Sequence, residues 1–222
     1  MRPLALDVDG TLTGRDGSLN PSVIEPLKGW DATVVIATGK TLAHATALCR
    51  YVGIDDNIIA ENGGIVYVRS EDELVYEGDG TAAKEVIKEY VDEGYDLGWG
   101  KNDLLNKWRE TEAIVSRDSP LEPLREVAQK HGLEVVDTGY AYHVKSPNVS
   151  KGKGLKSIAR ILGVKTEDFV AVGDSENDVS TFEVAGTSYA VRNADEEALE
   201  SADYVTEGEN GKGLLEVLDE LR

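Results

Sequence analysis

A doubly wound, mostly parallel α/β core interrupted by a smaller α+β domain is the fold that three features of this 222-residue chain predict. Short apolar, β-branched runs alternate with amphipathic stretches in both terminal parts of the chain, the pattern of a sheet buried on both faces. Acidic or hydroxyl residues follow several of these runs directly, at the strand ends where open α/β sheets hold their ligands. From about residue 79 to 149 the composition shifts and the strands become alternating, which marks a separate small domain.

The first strand, Arg2–Leu6, ends in Asp7-Val8-Asp9-Gly10-Thr11. Strand side chains alternate, so Asp7 and Asp9 can point the same way. Gly10 then lets the chain turn sharply and bring backbone N–H groups close to a ligand. Thr13 to Pro21 is rich in turn residues, and a short amphipathic helix is expected near Val23–Lys28. Thr33–Ala37 is a buried strand that runs into Thr38-Gly39-Lys40. A helix from about Thr41 to Val52 follows and closes at Gly53. Asn57–Ala60 is a strand, and the Asn-Gly step in Glu61-Asn62-Gly63-Gly64 turns it back through Ile65–Arg69 as a hairpin.

The inserted segment contains Trp99, Trp108 and His131. Its predicted helices are Thr81–Glu93 and Leu121–His131, and its strands lie near Thr111–Ser116, Leu133–Val136 and Tyr140–Lys145. Gly78–Gly80 and Ser146–Asn148 read as flexible connections. The first rhythm then resumes with a helix at Lys151–Leu162, capped by Gly163, and a buried strand at Phe169–Val172. That strand ends in Gly173-Asp174-Ser175-Glu176-Asn177-Asp178. A helix through Ala185, strands at Ser188–Val191 and Tyr204–Thr206, and a helix at Lys212–Leu221 complete the chain. The expected domains are therefore 1–78 with 150–222, and 79–149.

Composition narrows the function. Forty-two acidic against 23 basic side chains give a formal charge of −19. Such a surface repels nucleic acid and anionic membranes, so neither is an expected partner. With 41% hydrophobic residues and no long uncharged apolar run, no membrane span is expected. The strand with the paired aspartates starts almost at Met1, so no cleavable leader is expected. Cys49 is the one cysteine, so an intramolecular disulfide is excluded and a reducing, cytoplasmic compartment is expected. Cys49 itself reads as a small buried residue on a helix. Oligomeric state is open, a homodimer included.

The candidate site gathers at strand and helix boundaries: Asp7 and Asp9, Thr38 and Gly39, Lys151 at the start of a helix, and Asp174 and Asp178. Each feature alone is common. Asp174 and Asp178 suit a helix N-terminus in any case, and Lys153 could be confused with Lys151. Lys40 reads as a solvated side chain. Their joint order is hard to produce by chance.

Taken together, Asp7-Val8-Asp9-Gly10-Thr11, Thr38-Gly39, Lys151-Gly152 and Gly173–Asp178 resemble the four motifs of the haloacid dehalogenase superfamily of phosphatases. The segment 79–149 is similar to the cap of its Cof-like branch, set on a Rossmann-like core. Size, the compact cap and the Glu61-Asn62-Gly63 turn look most like the archaeal phosphoglycolate phosphatases of that branch. The resemblance implies that Asp7 attacks phosphorus to form an aspartyl-phosphate and that Asp9 acts as general acid and base. It implies magnesium held by Asp7, the backbone carbonyl of Asp9, Asp174 and Asp178, and a phosphoryl group bound by Lys151, Thr38 and Gly39. Asn177 would orient the Asp174 loop or a metal-bound water.

The implied substrate is a small anionic phosphomonoester, with 2-phosphoglycolate first. Alternatives are a sugar phosphate, a phosphomannomutase-like transfer, or phosphate binding without turnover. Trp99, Lys101, Trp108, Arg109 and His143 are candidates to line the cap, with His143 reading as structural.

The dispersed acids, among them Asp55, Asp56, Glu71, Glu196 and Glu200, suit a salt-rich cytosol in which screening suppresses self-repulsion. The urea midpoint should therefore rise between low and molar salt. A midpoint that stays put would remove that reading of the surface.

Overall fold

The computed structural model describes residues 1–222. The chain divides into two compact units, one formed by residues 1–75 and 150–222 and the other by residues 76–149. The first division lies three residues before the boundary that composition suggested. Tyr76 already belongs to the second unit, where its hydroxyl donates to Glu110 Oε2 at 2.9 Å.

In the first unit, β1 (Leu4–Leu6) is followed by a short 3-10 turn at Pro21–Val23 and α1 (Ile24–Lys28). Next come β2 (Val34–Ala37), α2 (Leu42–Val52), β3 (Asn57–Ala60), β4 (Ile65–Val68) and β5 (Glu73–Tyr76), whose last residue is the first of the second unit. The strand β5 was not foreseen, because Glu-Leu-Val-Tyr neither alternates apolar with polar residues nor forms a fully apolar run.

The eight-stranded sheet has the order β11-β10-β9-β1-β2-β3-β4-β5, its last three members in sequence being β9 (Val170–Gly173), β10 (Thr187–Ala190) and β11 (Tyr204–Val205). Neighbouring pairs from β11 to β3 are parallel, and β3 with β4 forms the antiparallel hairpin. Starting from the centre at β1, the chain builds outward to β2 and β3 and later, on the other side, to β9, β10 and β11. That reversal opens a crevice at the carboxyl ends of β1 and its neighbours.

Period-two alternation sorts the sheet's side chains to two faces. Leu4, Leu6, Val34, Ile36 and Ile58 pack with Leu27 of α1 and with Ala45, Cys49 and Val52 of α2. The same cluster takes in Leu214, Val217 and Leu218 of α8 (Gly211–Glu220), the last helix. Ala5, Val35, Ala37 and Ile59 face Leu155, Ile158 and Ala159 of α5 (Lys151–Leu162). Ala171 packs on the same side with Phe182 of α6 (Glu176–Phe182) and Ala198 of α7 (Glu196–Ser201). Helices thus cover both faces, as a doubly wound sheet requires. The α7 helix was also unforeseen. Its signal is Asp195, whose side chain accepts from Ala198 N at 2.9 Å, followed by two glutamates in the first turn. Cys49 is fully buried, and burial pushes its thiol up to about 12.

The second unit is α+β. Its three-stranded antiparallel sheet has the order β6 (Ala113–Ser116), β8 (Ala141–Lys145), β7 (Glu134–Asp137). Two helices, α3 (Gly80–Asp92) and α4 (Leu121–Lys130), cover one face through Val86, Tyr90, Leu124, Val127 and Ala128, packed on Val115, Tyr142 and Val144. Its predicted helices and strands all form, each within a few residues of the expected bounds. No helix of the protein is long and apolar enough to cross a membrane.

Candidate active site

Register sets the height of every functional group. Leu6 pairs with Ile36 on one side and with Val172 on the other, so β1, β2 and β9 end level. Asp7 N donates to Val172 O at 2.9 Å, which leaves Asp7 and Asp174 side by side as the two chains depart the sheet. Thr38 follows β2 directly, and its N–H continues the ladder to Ile59 O at 2.8 Å.

One carboxylate oxygen from each of Asp7, Asp174 and Asp178 lies within 4.8 Å of the other two. Lys151 reaches the same cluster from the first turn of α5. That helix turns Lys151, Leu155 and Ile158 inward along one face, while Lys153 is exposed. Lys151 is 1% exposed, and its ammonium donates to Asp7 Oδ1 at 2.6 Å, Asp178 Oδ1 at 2.8 Å and Asn177 Oδ1 at 2.9 Å.

Asp178 serves two ends. Its Oδ2 accepts from the backbone N–H of Asp174 at 3.1 Å and of Ser175 at 3.2 Å, while Oδ1 faces Lys151. The helix-capping and the site readings therefore describe one carboxylate. Thr11 Oγ1 donates to Asp174 Oδ1 at 3.4 Å. Gly10 has φ +81°, and a Cβ there would collide with the Asp174 carboxylate, so both the turn and the close approach require glycine.

Asp9 stands apart from this buried cluster, with its side chain 57% exposed. Lys40 keeps 39% of its side chain exposed, and its ammonium lies 2.7 Å from Asp9 Oδ2. The tight turn that carries it, with Lys40 N donating to Thr38 Oγ1 at 3.1 Å, turns the lysine back across the strand ends. Thr38 is fully buried; its hydroxyl accepts there and keeps its own proton to give. Gly39 sits between them, half-buried.

Burial pushes the Asp7 carboxyl up to about 7, with Asp178 and Asp9 adding to the rise and Lys151 opposing it. Burial, then the like charges of Asp7 and Asp178, push Asp174 up to about 9. Burial also works against charge on Lys151, but Asp178 and Asp7 outweigh it and keep the ammonium protonated well above its ordinary range. Three hard oxygen donors short of positive charge match a small divalent cation.

Several partners escaped the sequence reading. Asn177 Oδ1 accepts from Lys151 rather than only ordering its own loop, and Asn177 Nδ2 donates to Asn62 Oδ1 at 3.2 Å. Asn193 Nδ2 donates to Gly10 O at 3.0 Å and so fixes the turn after Asp9. Asparagines scattered along the chain carry no spacing signal that could have revealed these contacts.

In the second unit, Trp99 Nε1 donates to Ile114 O at 3.0 Å, which ties that ring to the fold. Trp108 is 59% exposed, with the Lys107 ammonium 4.9 Å from its ring centre, and Lys101 is exposed. Arg109 and His143 are buried, and both meet the buried carboxylate of Glu112.

A family model of haloacid dehalogenase-like hydrolases matches residues 4–104 and 120–218. A phosphoglycolate phosphatase of Natronomonas pharaonis is 53% identical over 220 residues, covering 99% of this chain and 97% of the relative. One from Halobacterium salinarum is 52% identical with the same coverage, and one from Archaeoglobus fulgidus is 37% identical over 98% of this chain and 95% of the relative. Among solved structures, a Thermoplasma acidophilum protein superposes with a TM-score of 0.84 at 22% identity, covering 99% of this chain and 97% of that one. A haloacid dehalogenase-like hydrolase from Bacteroides thetaiotaomicron gives 0.81 at 20% identity, covering 100% and 99%. The buried aspartate–lysine cluster at the sheet's switch point thus has relatives along nearly the whole chain, and this protein belongs to the haloacid dehalogenase-like hydrolases.

Proposed function

We propose that this chain is a magnesium-dependent phosphatase that converts 2-phosphoglycolate to glycolate and phosphate through an aspartyl-phosphate on Asp7. The observation that carries the reading is the company Asp7 keeps: a buried carboxylate bonded to a buried ammonium, with two further carboxylates beside it. The names of relatives that align over almost the full chain support the substrate. Lys40 supports it too, because it supplies a cation beside Asp9, the residue that serves the leaving group.

In the first step Asp7 attacks phosphorus, a P–O bond to its carboxylate forms, and the bond to the glycolate oxygen breaks. Asp9 gives its proton to that oxygen. In the second step Asp9 takes a proton from water as the water attacks the phosphorus of the aspartyl-phosphate, which releases phosphate and restores Asp7. Lys151 and the Thr38 hydroxyl hold the phosphoryl oxygens in both steps. Asp7, the backbone carbonyl of Asp9, Asp174 and Asp178 would hold magnesium, which when bound offsets the repulsion between a carboxylate nucleophile and an anionic phosphate. Residues 79–149 act as the cap that chooses the leaving group.

The reading is tested by phosphate release from a panel of phosphoglycolate, sugar phosphates and a chromogenic ester, with and without magnesium in high salt. Magnesium-dependent release with a strong preference for phosphoglycolate is expected. Equal rates across the panel would withdraw the substrate, and no release at all would favour a mutase or a binding protein. Asp7→Asn should abolish turnover while leaving the chain folded; retained turnover would overturn the nucleophile assignment.

Stability should report the metal independently of turnover. The Asp7 and Asp174 carboxyls are raised to about 7 and about 9 in the fold, against ordinary values near ~4. The folded state therefore holds these protons more tightly than the unfolded chain. Their stabilising effect is complete below about pH 4 and is lost as pH rises through about 7 and then about 9. A cation favours the ionised forms, so the rise in Tm on adding magnesium should be larger near ~pH 8.5 than near ~pH 5.5. Equal increments at both would count against a cation among these carboxylates.

A further inference from the structure

Two of the three acceptors around Lys151 are carboxylates, which attract an ammonium from either oxygen. The third is the Asn177 amide, at 2.9 Å, and an amide helps only if its oxygen rather than its NH2 faces the charge. The two ends of an amide have nearly the same shape, so packing alone does not choose between them. Neither does the Ser175 hydroxyl, which donates to Asn177 Oδ1 at 2.9 Å but could equally accept from the other end. The remaining contact is with Asn62, whose Oδ1 accepts from Asn177 Nδ2 at 3.2 Å.

Asn62 sits in an unusual piece of backbone. Glu61 and Asn62 have φ values of +49° and +55°, two successive side-chain-bearing residues in the left-handed region, and both are buried. Such a conformation is costly for a residue with a Cβ and persists where the surroundings enforce it. Here Glu61 N donates to Lys40 O at 2.9 Å and Asn62 N to Thr38 O at 3.1 Å. Gly63 follows with φ +101°, pressed so closely on the Ser150 carbonyl that no Cβ would fit. Ser150 is the N-cap of the helix that carries Lys151. The strained turn therefore touches the Thr38–Lys40 loop, the start of the Lys151 helix and the Asn177 amide at once.

We propose that Asn62 is a positioning residue for phosphate binding: its side-chain oxygen holds the Asn177 amide so that the Asn177 oxygen faces Lys151. It acts through Asn177 and touches no reacting atom. Without that acceptor the amide is free to turn its NH2 toward the ammonium, and Lys151 settles further onto Asp7 and Asp178, away from an incoming phosphoryl group. The inference rests on the reading of Lys151 as the cation that binds phosphate.

The test uses the full chain with magnesium and reads KM and kcat for a phosphomonoester, inhibition by inorganic phosphate, and Tm. Asn62→Gly keeps the left-handed backbone and removes the acceptor; Asn62→Asp keeps an acceptor oxygen. Asn62→Gly should raise KM and the phosphate inhibition constant about tenfold, roughly the loss of one charge-linked hydrogen bond, with kcat and Tm little changed. Asn62→Asp should recover much of that loss. Combining Asn62→Gly with Asn177→Ala should be no worse than Asn177→Ala alone, because the first residue works through the second. Additive effects in the double variant, or unchanged phosphate inhibition in Asn62→Gly, would overturn the proposal. Lys151→Ala separates the two readings. If it leaves phosphate inhibition unchanged, the Lys151 assignment fails and the Asn62 proposal with it. If it weakens inhibition while Asn62→Gly does not, the Asn62 proposal alone fails.

Discussion

Lys151 meets Asp7 and Asp178 in a space from which water is nearly excluded, and the carboxyl edge of the large sheet is organised around that contact. Removing an ammonium and two carboxylates from water costs several kcal/mol for each ion, and only close, well-directed pairing offsets it. The three distances from Lys151, between 2.6 and 2.9 Å, meet that demand. They can be met only if β1, the start of α5 and the first turn of α6 are held in fixed relation. The apolar packing on both faces of the sheet supplies that rigidity, from Leu4 and Leu6 on one side and Ala5 with Leu155 and Ile158 on the other.

One ammonium does not balance the carboxylates around it. Burial first, and then the surplus negative charge, raise the Asp7 and Asp174 carboxyls, and together they give the site its chemical character. A cluster with too little positive charge is poised to gain some, from a cation or from protons. Asp9 is treated differently by the same fold. It lies three residues beyond the end of β1, exposed and paired with Lys40, where a group that exchanges protons with a leaving group and with water can work. Two aspartates separated by a single valine thus receive opposite environments, because one closes the strand and the other begins the turn.

The polar network behind the site shows how strain is held in place. The left-handed residues Glu61 and Asn62 occupy the β3–β4 hairpin, where backbone bonds to Lys40 and Thr38 fasten them to the neighbouring strand end. In the second unit a different buried network joins Arg109, Glu112 and His143, with His143 on the sheet face opposite the one that packs on the helices.

Much of this was legible in the sequence, and the limit is physical. Local pattern encodes local structure: uniformly apolar β-branched runs announced the central strands, Asn62-Gly63 announced the hairpin, and the amphipathic run Lys151–Leu162 announced α5. The short edge strand β5 and the short helix α7 were missed, since neither carries an apolar period. Acidic residues at strand ends marked Asp7, Asp9, Asp174 and Asp178 because a parallel sheet collects all such ends on one side. Pairing across long sequence separations is a different matter. That Lys40 turns to Asp9, that Asn177 takes Lys151 and gives to Asn62, and that Asp174 crowds Gly10 depend on strand register and on how closely the helices approach the sheet. The sequence by itself determined which residue types stand at the carboxyl edge. Only the tertiary structure decided which were buried, which paired and which faced water, since those outcomes come from packing among segments that no local pattern connects.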